Sequence, residues 1–181
     1  MSDPVSALGG ASFDGFAKVR EIGPLGMITL RAKGLKGLAK AVKAAIGTKV
    51  PDTRRIEHAG DNACAWMSPD EYLLILPYAE VPKALSVIAK TLQGDHHLAV
   101  DVSDARAVFR IEGPDAHQVL RKLCPVDLDR MAPDEVRRTR AAQVACAFWQ
   151  QGGGYTLISF RSVAGYVMGL LSHSAQVGSD L

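Results

Sequence analysis

A chain of 181 residues, 48% hydrophobic and 22% charged, has the composition of a globular domain and enough length to bury a sizeable core. Its net charge of +2 supplies no overall field for nucleic acid or an anionic membrane, and three cysteines are too few and too scattered for a disulfide framework. No stretch approaches the ~18 uninterrupted apolar residues of a membrane span, and no basic segment leads into an apolar core at the N-terminus, so a cytoplasmic protein is expected.

Residues 1–24 are rich in Gly, Ser, Asp and Pro with scattered apolar residues, which predicts a flexible N-terminal arm. Met27-Ile28-Thr29-Leu30 reads as a strand. The helix after it carries Leu35, Leu38, Ala39, Val42 and Ile46 as one buried stripe, and Gly47 and Pro51 end it. Asp52-Thr53-Arg54-Arg55 is a linker into a hairpin, Cys64-Ala65-Trp66-Met67 and Tyr72-Leu73-Leu74-Ile75-Leu76. Its turn, Ser68-Pro69-Asp70-Glu71, has the proline and acidic residues that type I turns favour. A second helix shows Val81, Leu85, Ile88, Ala89 and Leu92 and stops at Gly94. Leu98 to Val102 is a further strand.

The order then repeats. Ala107 to Ile111 is a strand, and Gly113-Pro114-Asp115 opens a helix with Ala116, Val119, Leu120 and Leu123 on one face. A loop around Pro125 and Pro133 leads to a second hairpin, Cys146-Ala147-Phe148-Trp149 and Tyr155-Thr156-Leu157-Ile158, which echoes the first 82 residues later. A last helix, capped by Ser162, presents Val163, Tyr166, Val167, Leu170 and Leu171. The fold class is therefore α+β, with two ferredoxin-like β-α-β-β-α-β units in a pseudo-duplicated arrangement. The units are expected at residues 25–103 and 104–181, together forming one compact domain.

Residue chemistry offers little for catalysis. His96-His97 is the one adjacent histidine pair, and neighbours on a strand point to opposite faces, so no metal site is expected. Cys124, the most accessible-looking cysteine, sits at a helix C-terminus, the wrong end to activate a thiolate. Gly152-Gly153-Gly154 lies in a hairpin rather than between strand and helix, where it supplies positive φ angles rather than a phosphate cradle. Arg137-Arg138-Thr139-Arg140 reads as a solvated or partner-facing stretch, and no base-stacking motif accompanies it. Asp101, Ser103, Asp104 and Arg106 form a polar turn. No catalytic, cofactor or metal residue is assigned.

Three stretches resemble a known family. The run Gly60 to Leu74, with Trp66 followed by Pro69-Asp70-Glu71-Tyr72-Leu73-Leu74, is similar to the "W-x-G-P-D-E-W-L-L" segment of the gamma subunit of heterotetrameric sarcosine oxidase. Asp101-Val102-Ser103-Asp104-Ala105-Arg106, continuing to Gly113 and Leu120, resembles that family's "D-[LV]-S-H-x-R…G-x-x-A-x-x-L-L". Arg138-Thr139 and Arg161-Ser162 with Tyr166 and Leu170-Leu171 look like its C-terminal hairpin and helix. Departures are Ser68 for glycine, Tyr72 for tryptophan and Asp104 for histidine. The resemblance implies a fold related to folate-binding aminomethyltransferases. It also implies a non-catalytic subunit that packs on the alpha subunit and, through it, joins beta and delta. FAD, FMN, NAD and tetrahydrofolate are then expected on those partners and none on this chain. Such a complex would oxidatively demethylate sarcosine and pass the one-carbon unit to tetrahydrofolate. The acidic residue of the transferases would fall near Arg140 to Gln143, where no carboxylate stands. Trp66, Trp149 and Arg161 are the candidate interface anchors, since Trp and Arg are enriched at hot spots. The alternatives are a stand-alone folate-dependent aminomethyl transferase, or a small-molecule-binding module using a cleft between the halves.

Overall fold

The structure, a computed structural model, describes residues 4–181. The segment expected to be a flexible arm is folded from Pro4 onward, while Met1 to Asp3 lie outside the described residues. It supplies β1 (Ser12–Asp14) and β2 (Lys18–Ile22). In β2 Val19 is buried between the exposed Lys18 and Arg20, the alternation of a half-buried strand. The buried Glu21 carboxylate then ties the preceding loop down. It accepts hydrogen bonds from Ser6 Oγ at 2.8 Å, Ala7 N at 2.9 Å and Gly10 N at 2.8 Å.

Two compact units divide the chain, one of residues 25–103 and one that joins residues 1–24 to residues 104–181. The first unit runs β3 (Gly26–Arg31), α1 (Leu38–Ile46), β4 (Ile56–Ala59), β5 (Asn62–Ser68), β6 (Glu71–Leu76), α2 (Val81–Thr91) and β7 (Leu98–Asp101). Its five strands pair antiparallel in the order β4-β5-β6-β3-β7. Ile28, Leu30, Cys64, Leu74 and Leu76 of this sheet meet Leu38, Val42, Ile46, Val81, Ile88 and Leu92 of the helices in one core. Ala41 fills the α1 face where the periodicity pointed to Ala39, which is exposed.

The second unit adds β8 (Arg106–Glu112), α3 (Ala116–Leu123), β9 (Val136–Ala141), β10 (Val144–Gln151), β11 (Gly154–Phe160) and α4 (Ala164–Ser174). Its sheet is ordered β1-β2-β8-β11-β10-β9, again antiparallel throughout. Phe109, Ile111, Phe148 and Leu157 pack with Val119, Leu120, Val167 and Leu171 of the helices. Phe148 and Tyr155 meet edge to face, with centroids 6.1 Å apart. Within their units the hairpin cysteines Cys64 and Cys146 both belong to the core formed with the helices.

Three further features differ from the sequence reading. Each hairpin has a third strand, β4 or β9, whose polar edge sequence hid it. The basic run Arg137 to Arg140 is thus part of the edge strand β9. The last helix has no side-chain cap from Ser162. A 3-10 turn spans Arg161–Val163, and α4 starts at Ala164.

Candidate functional site

Trp66 stands half-buried on β5, opposite Tyr72 and beside an irregularity in the β5–β6 pairing. Trp149 is 2% exposed, between Val136 and Thr156 on neighbouring strands. Its side chain is covered by its own chain, which leaves little area to offer a partner. The Trp149 indole N–H is buried and has no hydrogen-bond partner. Arg161 is half-buried and faces its own N-terminal segment. Its guanidinium donates to the carbonyl of Val5 at 2.9 Å and of Ser6 at 3.1 Å.

The groups considered for chemistry are engaged in structure. Asp101 Oδ1 accepts from Ser103 N at 2.9 Å and Ser103 Oγ at 2.5 Å, while Ser103 Oγ accepts from Met27 N at 2.9 Å. This is an Asx-type turn bracing two strands of the first unit. Arg106 lies over the Phe160 ring at 4.4 Å. Cys124 is buried, contrary to its accessible look in the sequence, because its β-region backbone at the end of α3 turns it into the second-unit core. Burial pushes the Cys64 thiol up to about 12, with the Glu57 charge adding to it. A hydrogen bond with Cys124, reinforced by burial, raises the Cys146 thiol well above the usual thiol range. Gly152 and Gly153 have φ of 51° and 73°, as a two-residue hairpin loop of mirror-image type requires.

Two features escaped the sequence reading. A polar network crosses the second-unit sheet. Arg110 donates to Thr156 Oγ1 at 2.9 Å and to the Gln151 carbonyl at 2.8 Å, and lies 3.6 Å from Glu112, which Arg20 also grips at 3.0 Å. The Arg20 hydrogen bond, helped by the charges of Arg20 and Arg110, holds the Glu112 carboxyl below the usual range. Only the cross-strand register Arg20↔Arg110 and Thr156↔Arg110 brings these residues together, so no local motif could have announced them. The second feature is an open cleft of about 590 Å³ beside the Gly152-Gly153 loop, with His117, Asp129, Gln150 and Tyr155 on its walls. Gln150 Nε2 donates to Tyr155 Oη at 3.3 Å, and Asp129 pairs with Arg121. Of the polar wall groups, Gln150 and Tyr155 thus bind each other and Asp129 is held by an arginine outside the cleft. Among the described residues no group of three or more His, Cys, Asp or Glu could hold a metal, and no helix is long and apolar enough to cross a membrane.

These observations define an α+β protein of two antiparallel sheets and four helices, and its fold is shared with the glycine cleavage system aminomethyltransferase T from Bartonella henselae. That match has a TM-score of 0.64 at 11% identity and covers 87% of this chain and 45% of the transferase. Residues 33–176 match the sarcosine oxidase, gamma subunit family, and the chain belongs to that family. It is 32% identical to a sarcosine oxidase subunit gamma of Arthrobacter sp over 151 residues, 81% of this chain and 73% of the relative. A subunit gamma from Corynebacterium sp. (strain P-1) is 30% identical over the same shares. Among solved structures, a chain of the heterotetrameric sarcosine oxidase from Corynebacterium sp. U-96 superposes with a TM-score of 0.80 at 27% identity, covering 91% of this chain and 87% of that one.

Proposed function

We propose that this chain is a non-catalytic structural subunit of a cytoplasmic sarcosine oxidase complex, in which other subunits perform the oxidative demethylation and hand the one-carbon unit to tetrahydrofolate. The observation that carries the reading is family membership over residues 33–176, joined to the likeness to a chain of a heterotetramer. FAD, FMN, NAD and tetrahydrofolate then belong to the partners. The alpha subunit is the direct neighbour and connects to beta and delta. Trp66 and Arg161 remain surface positions at which contact with a partner can form.

The fold reading deepens in the same way. Within the sheets, β4-β5-β6-β3-β7 and β9-β10-β11-β8-β2 place hairpin, first strand and closing strand in corresponding order. We read this as two β-α-β-β-α-β units of ferredoxin-like type, the first with one added edge strand, β4, and the second with two, β9 and β1. The second takes its closing strand, β2, from the start of the chain.

Co-purification tests the function. The tagged full-length chain expressed in its native host should bring down a flavin-containing protein that oxidises sarcosine. Elution without any flavoprotein would overturn the subunit reading. Tight folate binding by the isolated chain would overturn its non-catalytic assignment.

A further inference from the structure

We infer that the helical layer of the first unit is a docking surface for a carboxylate-rich protein face of the partner subunits. The inference rests on the subunit reading above. From Ile22 to Pro51 the chain has no carboxylate, and within residues 31–51 it carries six cationic side chains. The whole chain is only +2, so the remaining 160 residues carry a net −4. Charge is therefore segregated, not merely positive.

The helix places that charge on one side. Leu38, Ala41, Val42 and Ile46 point α1 into the core, which leaves Lys40 and Lys43 exposed on the opposite face, with Lys36 one turn before them and exposed too. The neighbouring α2 adds exposed Lys83 and Lys90. Several other cations are matched, Arg20 with Glu112, Arg121 with Asp129 and Arg137 with Glu135, and within the segment Arg31 pairs with Asp70. Among the described residues Lys33, Lys36, Lys40 and Lys49 enter no ion pair. Carboxylates border this layer rather than stand in it: Asp95 near Gly37, Glu80 at the start of α2, and Asp52 directly after the segment. Like charges one turn apart destabilise a helix, and α1 has no acid in its first turn to offset them. That uncompensated charge fits an anionic surface brought by a partner, where it accelerates encounter and rejects cationic faces.

A protein surface fits better than the other polyanions. Residues 31–51 contain no aromatic side chain on which a base could stack. The apolar side of α1 is buried, so the helix has none to insert into a bilayer.

The test uses the full-length chain and the remaining subunits of the complex, purified together from a host strain that lacks this chain. Association rates are measured from about 50 to 300 mM NaCl. The wild-type rate should fall at least about tenfold over this range. Lys40→Glu/Lys43→Glu should slow it about tenfold at the lowest salt, with Lys40→Gln/Lys43→Gln in between. Thermal unfolding of each variant checks that the helix is kept, since Glu and Gln are both good helix formers. A charge-reversed variant that associates as fast as wild type, with a flat salt dependence, overturns the inference. Lysine-dependent binding of an RNA oligonucleotide or phosphatidylserine vesicles, with subunit association indifferent to these lysines, overturns it in favour of another occupant. A wild-type chain that never associates refutes the subunit reading itself and this inference with it.

Discussion

Replacing Glu21 by Gln should undock the N-terminal segment while leaving the second-unit core intact. Glu21 is 4% exposed and its carboxylate receives three donors, at 2.8, 2.9 and 2.8 Å. A Gln amide has one oxygen, which can keep at most two of them, and its NH₂ group then faces a donor. Loss of one hydrogen bond to a charged acceptor costs about 1.5–3 kcal/mol. What remains is the Arg161 grip on the Val5 and Ser6 carbonyls and the partly buried Ala7 and Leu8. A loss of about 2 kcal/mol corresponds to roughly a thirtyfold rise in local opening. Native-state hydrogen exchange reads it directly. The Ala7 and Gly10 amides should exchange about thirtyfold faster, with those of Phe109 and Phe148 unchanged. Wild-type protection at Ala7 and Gly10 would refute the reasoning. So would equal acceleration at Phe148, since the damage would then be global.

A Cβ on Gly154 would lie 2.2 Å from the Ile111 carbonyl oxygen and 3.2 Å from Glu112 Cα. Gly154→Ala must therefore force β11 from β8 and should cost at least about 3 kcal/mol in urea unfolding. Gly153→Ala meets open space at φ 73° and should cost about 1 kcal/mol; equal losses would remove close approach as the cause. Because the folded Glu112 carboxyl is lowered by Arg20 and then Arg110, its stabilising contribution is present above the ordinary value of 4.5 and disappears as pH falls through the lower folded value. Glu112→Gln should lower stability by well under about 1 kcal/mol at neutral pH, since the pair is solvent-screened. That difference should vanish in acid, and a difference unchanged in acid would exclude the ion pair as its source. All three cysteines are buried, so an aromatic disulfide reagent should label them only as the chain opens. Reaction of any thiol in the folded chain on mixing would contradict the burial.

The hairpins were legible because their apolar runs are long and bounded by turn residues, Pro69-Asp70 in one and the glycines in the other. The strand β2 was not, since its sequence Lys-Val-Arg-Glu-Ile has one fully buried apolar residue and resembles loop composition. Its partner β8 lies some ninety residues further on, at Lys18↔Glu112, and no local pattern encodes a pairing at that range. The same limit governs the tryptophans. Both follow a Cys-Ala pair in their strands, yet register places Trp149 against Thr156 and Val136 in full burial and leaves Trp66 half-exposed near the irregular end of β5. The cleft by Gly153 was invisible for a related reason, because its walls come from two helix-flanking loops as well as the hairpin.

Within the first unit every strand pairs inside residues 25–103, so its sheet can close as soon as those residues exist. The second unit has no such independence. Its β8 is flanked by β11 from downstream and by β2 from the first two dozen residues. Val19 and Ala17, both buried, complete the core that Phe109 and Ile111 begin. Loop-closure entropy therefore falls on the second unit, whose sheet is complete only when both ends of the chain are present. Glu21 and Arg161 bear on the same requirement from opposite ends of the sequence. One holds the N-terminal loop by its amides, the other by its carbonyls, and both act on residues 5–10. The segment that composition marks as an arm is thus a structural part of the second unit, and its order depends on side chains more than a hundred residues apart.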